Sequence, residues 1–111
     1  MTTTIYIAPS AVLLATNDTY GNVVGPTAKR IIRGATLTNT TAAAVACTVY
    51  LVPSGGTAGA SNTYISARSI NPGESYQCPE LINKGIGPGG YVQAFGLGVT
   101  FNYTATDITN G

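Results

Sequence analysis

The chain is short of charge. Its 111 residues include five basic and four acidic side chains, with no histidine and no tryptophan, whereas a typical soluble domain spends about a quarter of its residues on Asp, Glu, Lys and Arg. Each absence excludes something. Without histidine, no Ser-His-Asp or Cys-His nucleophile can be assembled. The four acids, Asp18, Glu74, Glu80 and Asp107, are scattered, and three fall in turn-like text or near a terminus, away from the partner that acid–base chemistry needs. Structural zinc sites take four ligands from Cys and His, and two cysteines fall short of that. The run Gly85-Ile86-Gly87-Pro88-Gly89-Gly90 lacks both the Gly-Lys-Ser/Thr ending and the following helix of a phosphate cradle. The chain therefore reads as non-enzymatic, with no cofactor and no metal.

Charge also narrows the partners. The formal net charge is +1, and only Lys29, Arg30 and Arg33 cluster, which is too little basic surface for a nucleic-acid face. No window approaches the ~18 apolar residues of a membrane span. The start, Met-Thr-Thr-Thr-Ile-Tyr-Ile-Ala-Pro, lacks the basic and apolar regions of a signal peptide. The expectation is synthesis and assembly in a cytoplasm, with no membrane and no nucleic acid. The sequons at Asn17, Asn39 and Asn102 are then chance products of a Thr- and Asn-rich chain. Cys47 and Cys78 allow two readings: one disulfide, or two buried free thiols, which a reducing cytoplasm favours.

Thr, Val, Ile and Tyr are plentiful, and fourteen glycines and six prolines punctuate them; β-branched and aromatic side chains suit a pleated, half-buried surface. Strands are predicted at Thr4–Ala8, Val12–Ala15, Tyr20–Val24, Arg30–Asn39, Ala42–Val52, Thr63–Ile70, Ser75–Ile82, Tyr91–Leu97 and Val99–Thr106, with turn signals between them. This pattern predicts an all-β, antiparallel β-sandwich, jelly-roll or immunoglobulin-like in topology, as a single domain over residues 1–111. Residues 1–27 are less regular and read as an N-terminal arm or edge strands. Parity sets the core: Val45, Cys47, Val49 and Leu51 share one face, Ala35 and Leu37 point inward, and Val99, Phe101 and Tyr103 alternate with outward Thr100, Asn102 and Thr104. Cys78 shares parity with Tyr76, which turns both thiols inward.

Tyrosine presents an apolar ring and a polar tip, which suits interfaces. The candidate interface residues are Tyr6, Tyr20, Tyr50, Tyr64 and Tyr91, joined by Ile5 and Ile7 of a Thr2–Ala8 stretch able to add a strand to a neighbouring sheet or to pair within its own subunit. Exposed sheet edges and neutral faces predict a homo-oligomer, a dimer or a trimer.

One long segment has a distinctive cadence. A Pro-containing turn, Gly25-Pro26-Thr27-Ala28, leads into the basic-flanked strand Lys29-Arg30-Ile31-Ile32-Arg33-Gly34-Ala35-Thr36-Leu37 and then Thr38-Asn39-Thr40-Thr41. Ala42 to Leu51 gives a second strand and Val52-Pro53-Ser54-Gly55-Gly56 a small-residue tip. Asn71-Pro72-Gly73-Glu74-Ser75 and Pro88-Gly89-Gly90-Tyr91-Val92-Gln93-Ala94 follow. From about Gly25 to Ala105 the chain resembles the small β-sandwich domains of tailed-bacteriophage virion proteins, most of all capsid decoration (cement) proteins. The resemblance implies a structural virion protein on the outer capsid surface, assembled in the host cytoplasm, that bridges subunits of a major capsid protein. Alternatives are a tail, baseplate or fibre component, and a carbohydrate-binding adhesion module that recognises a host-surface glycan.

Overall fold

The last strand of the chain organises the molecule. In the computed structural model, which describes residues 2–109, Val99, Phe101, Tyr103 and Ala105 are buried while Thr100, Asn102 and Thr104 face outward. This apolar alternation runs through an eleven-residue strand with a partner on either side. Met1, Asn110 and Gly111, included in the predicted domain, lie outside the described residues.

The strands are β1 (Thr2–Ile7), β2 (Ala11–Val12), β3 (Asp18–Tyr20), β4 (Ala28–Asn39), β5 (Val45–Val52), β6 (Thr63–Ile70), β7 (Ser75–Tyr76), β8 (Gly85–Ile86), β9 (Tyr91–Phe95) and β10 (Val99–Thr109), with a 3-10 turn at Ala60–Asn62. The first sheet has the order β1-β10-β4-β7; β2 also pairs β10, and β8 also pairs β4. The second sheet has the order β3-β9-β5-β6. All pairings are antiparallel. With β1 taken with β2 and β7 with β8, each successive strand crosses to the other sheet except at β5–β6, among the described residues the only consecutive strands bonded to each other. Interleaving of this kind is a jelly roll. An immunoglobulin-like sandwich, the other topology left open by the sequence, keeps more consecutive strands together.

The core lies between the two sheets and joins Leu37, Phe101, Tyr103 and Ile32 of the first to Cys47, Val49, Leu51, Val92 and Ala94 of the second. Register irregularities in two strands shape it. Thr104 pairs with Gly34 but Ala105 pairs with Ile32, so Arg33 is an extra residue in β4. Such a bulge reverses parity. Ala35 and Leu37 point inward on one side of it, and Ile32 and Arg30 on the other. A second irregularity lies in β6, where Cys47 pairs with Arg68 and Val49 with Ile65. Ala67 takes φ +46° there, and its N–H donates to Thr48 Oγ1 at 3.0 Å.

Several predicted boundaries move for identifiable reasons. β5 begins at Val45 and not Ala42, because Asn39 fastens the intervening turn: its Nδ2 donates to Ala43 O at 2.8 Å and its Oδ1 accepts from Thr41 N at 2.9 Å. Ser75–Ile82 is a strand only at Ser75–Tyr76, since Cys78 adopts φ +47° and Pro79 follows it. Gly85–Ile86, read as a connection, pairs with Arg30–Ile31. Among the described residues no helix is long and apolar enough to cross a membrane.

Candidate interaction surfaces

The β4 bulge places a guanidinium inside the protein. Arg30 is 1 % exposed. Its Nε and Nη2 donate to the two oxygens of Asp107 on β10 at 2.7 and 2.9 Å. Nη1 donates to Asn22 O at 3.0 Å, Nη2 to Asn22 Oδ1 at 2.6 Å, and the Tyr6 ring lies 4.0 Å from the guanidinium carbon. The bidentate geometry and stacking are what a planar guanidinium supplies and an ammonium does not. Burial works to lower the Arg30 pKa, but the Asp107 hydrogen bond and charge, aided by Tyr103, outweigh it and the net shift is upward. This one side chain fastens β1, β4, β10 and the segment after β3. Beside it, Tyr103 Oη donates to Tyr20 O at 3.2 Å, and burial pushes the Tyr103 phenol up to about 12 despite Arg30. Gly21, at φ +76°, lies so close to the Tyr103 hydroxyl that a Cβ there would collide with it. The donors of Arg30 are thus spent on protein partners, while the Asp107 side chain keeps about a fifth of its surface exposed.

The remaining carboxylates are also occupied locally. Glu80 accepts from Tyr76 Oη at 2.6 and 2.8 Å, Glu74 from Asn71 N at 2.8 Å, and Asp18 from Thr19 N at 2.8 Å. Cys47 and Cys78 are buried free thiols. Burial raises their pKa values to about 11 and about 12, the latter helped by Glu80 and by Cys47 itself. A thiol held protonated is a poor nucleophile. Among the described residues no three His, Cys, Asp or Glu side chains are placed to hold a metal ion.

The predicted interface residues divide among different places. Ile5 and Ile7 are 75 % and 70 % exposed on β1. Tyr6, between them, turns inward, with its ring 6.0 Å from Tyr103 and its hydroxyl accepting from Asn22 N at 2.9 Å. Tyr20, expected at the surface, is instead buried edge-on against Phe101 with centroids 6.1 Å apart. Its hydroxyl is enclosed near the Leu14 backbone without a partner in hydrogen-bond geometry, and burial raises its pKa. The cause is the short β3, whose last residue points between the sheets. Tyr50 is half-buried beside Phe95, 6.3 Å between ring centroids. Tyr64 is exposed at the β6 irregularity, and half-buried Tyr91 donates to Gly56 O at 3.0 Å.

The outer face of the first sheet is rich in hydroxyls, with exposed Arg33 of β4 donating from Nε to Thr106 Oγ1 at 3.4 Å. Thr100, Asn102, Thr104 and Thr106 of β10 face outward opposite Thr38, Thr36, Gly34 and Ile31 of β4. On the other flank of β10, Val12 lies beside Thr100, Ile7 beside Thr104 and Ile5 beside Thr106. A hydroxyl-rich strip is thus bordered by exposed aliphatics. Val12 and Leu14 were missed as surface residues, although their outward parity along the edge was available from the sequence once that run was taken as half-buried. An open cleft of about 510 Å³ beside Tyr6, Pro9, Thr19, Tyr20 and Asn22 lies at the same border.

No family model matches the sequence, and no curated protein matches it. Among solved structures, the chain is similar to one in the structure of infectious bursal disease virus, Gx strain, with 15% identity and a TM-score of 0.48. The match covers 99% of this chain and 33% of that one, so the chain spans about a third of its length. A likeness that slight carries no weight for role, and the jelly-roll assignment rests on strand order alone.

Proposed function

We propose that the protein is a non-enzymatic structural component of a bacteriophage virion, which decorates the outer capsid surface and bridges subunits of the major capsid protein. The observation that carries this reading is the outer face of the first sheet, a Thr-rich strip with aliphatics along one border. Covering such a face costs little, because few charges must be stripped of water. Modest contacts repeated across a shell gain from high local concentration. Jelly rolls occur among viral capsid and lectin domains, an analogy of fold that supports the reading without establishing it.

The test is addition of purified protein to undecorated capsids. Saturating binding, with copy number tied to capsid subunits and a raised capsid melting temperature, is expected. Thr100→Glu with Thr104→Glu should abolish binding while the free protein melts as before. Binding that survives this change removes the outer face from the reading. The cleft beside Tyr20 favours one second reading, a host-surface glycan as ligand. Failure to bind shells, together with glycan-array binding lost in Thr19→Arg, would replace the first reading with that one.

A further inference from the structure

The edges of the two sheets are not alike. β6 carries Arg68 and two register shifts. β3 is three residues long and carries Asp18. The far edge of the first sheet is made of β7 and β8, two residues each, with Pro79 between them. Short strands, bulges, charges and prolines are the means by which proteins keep a sheet edge from pairing with another chain. β1 has none of them. Its six residues, Thr-Thr-Thr-Ile-Tyr-Ile, pair with β10 without a shift of register.

The direction of its free main-chain groups follows from one bond. Ala8 N donates to Tyr103 O at 3.0 Å, and in an antiparallel ladder bonded and non-bonded pairs alternate. Thr2, Thr4 and Tyr6 therefore spend their main-chain groups on β10, while Thr3, Ile5 and Ile7 direct theirs away from the sheet. No described strand lies on that side. The same positions carry the two most exposed isoleucines.

We propose that this edge binds a second copy of itself: two β1 strands pair antiparallel about a two-fold axis at Ile5, fusing the first sheets of two chains into one continuous sheet. An antiparallel edge is complementary to its own copy under such an axis. With Ile5 on the axis, Ile5 faces Ile5 and Thr3 faces Ile7 of the second copy, so every outward N–H and C=O at these three positions is satisfied. Moving the axis to Tyr6 sets Thr3 opposite Pro9, which has no N–H to give. The diagonal neighbours across the seam bring both pairs of Ile5 and Ile7 together on the outer face. Thr2 to Asn17 contains no charged residue, so the segment meets no like charge in its copy and offers no counter-charge to a charged partner. The seam uses six residues a side, against roughly 20–30 in an interface of standard size, so the dimer is reversible and concentration-dependent.

Sedimentation equilibrium of the full chain over a concentration series should show a monomer–dimer equilibrium. Ile5→Cys should form a disulfide-linked dimer on oxidation, because facing residues in a bonded pair lie within disulfide reach; Thr3→Cys, which faces Ile7, should not. Ile5→Pro removes an N–H that the chain itself does not use, and the loss of two bonds per dimer weakens association by about tenfold or more. Ile5→Lys, which sets two ammonium groups at the axis, makes the same test should proline disturb the strand. A chain that stays monomeric at every concentration, a trimer, equal cross-linking at positions 3 and 5, or dimers that persist in folded Ile5→Pro and Ile5→Lys would each overturn the pairing. The pairing does not depend on the shell-binding reading: a monomer that saturates capsids removes only the former, and a dimer that ignores them only the latter.

Discussion

Arg30 is among the few charged residues of this chain, and the fold encloses it. Its position follows from Arg33 alone, because without the extra residue in β4 it would face solvent. The ion pair with Asp107 is therefore a point of weakness if only half of it is removed. Asp107→Asn leaves a guanidinium enclosed without its counter-charge and should cost about 3–5 kcal/mol in urea unfolding, a large share of the ~5–15 kcal/mol that holds a domain together. Removing both partners, Arg30→Met with Asp107→Asn, should cost less than Asp107→Asn alone; a double variant less stable than the single would contradict this account of the cluster. The thiols give a second expectation at this scale, and its sign follows from protonation. Both thiols are raised in the folded protein from an ordinary value near 9, to about 11 at Cys47 and about 12 at Cys78. Above pH 9 the unfolded chain loses these protons first and so binds fewer than the native state, which makes stability fall with rising pH. The contribution is complete below pH 9 and gone above the folded values near 11 and 12. Urea midpoints should hold steady up to about pH 8.5 and decline beyond it, and the double variant Cys47→Ala, Cys78→Ala should flatten the first part of the decline.

At the scale of elements, the sequence was readable where a strand keeps strict alternation. β6 falls on its predicted bounds, and the inward sets of β5 and β10 follow from parity. It was opaque where alternation breaks. A period-two reading carried back from Ala35 and Leu37 would turn Ile31 and Arg33 inward, whereas the bulge buries Ile32 and Arg30. A single inserted residue has no signature of its own in a run as uniformly strand-like as Ala28–Asn39. The two-residue strands β7 and β8 are too short for any pattern, and they exist because β4 offers them an open side. The same limit hid the burial of Tyr20, which depends on how a three-residue strand is seated against Phe101. The irregularity in β6 is testable in the same terms. Ala67 occupies φ +46°, a region that disfavours side chains with a Cβ, so Ala67→Gly should raise stability by about 0.5–1 kcal/mol. In Ala46, an exposed residue of ordinary extended strand, the same exchange should lower it by about 0.5–1 kcal/mol. Thermal melts of both variants decide the matter; equal signs would show that the left-handed backbone at residue 67 stores no strain.

At the scale of the whole molecule, the scarcity of charge evident in the composition becomes a property of the surfaces. The two sheets form an elongated body, 48 × 24 × 19 Å, with a broad Thr-rich face on one side and a free β1 edge bordering it. The jelly roll alone does not choose among the roles such a body can take; its surface chemistry restricts how it can associate. Five basic and four acidic side chains give a net charge of +1, and one of the five, Arg30, is already neutralised inside by one of the four, Asp107. Among the described residues the one ion pair is Arg30–Asp107, and the exposed cations Lys29, Arg33 and Lys84 around β4 and β8 are too few to steer a partner strongly over distance. Association, whether of two copies through β1 or of the outer face with a shell, must rest on main-chain hydrogen bonds and apolar area. Salt shortens the reach of charge from ~10 Å at 0.1 M to ~3 Å at 1 M, and it weakens interfaces built on complementary charge, but it has little to act on here. Binding constants measured from about 0.05 to 0.5 M salt should therefore vary by less than about threefold, while moderate urea, which solvates apolar and peptide groups alike, should weaken the same complexes steadily. A tenfold loss of affinity across that salt range would mean that the few exposed charges, Lys29, Arg33, Arg68 and Lys84 among them, carry the contact, and that the hydroxyls and aliphatics of the outer face do not.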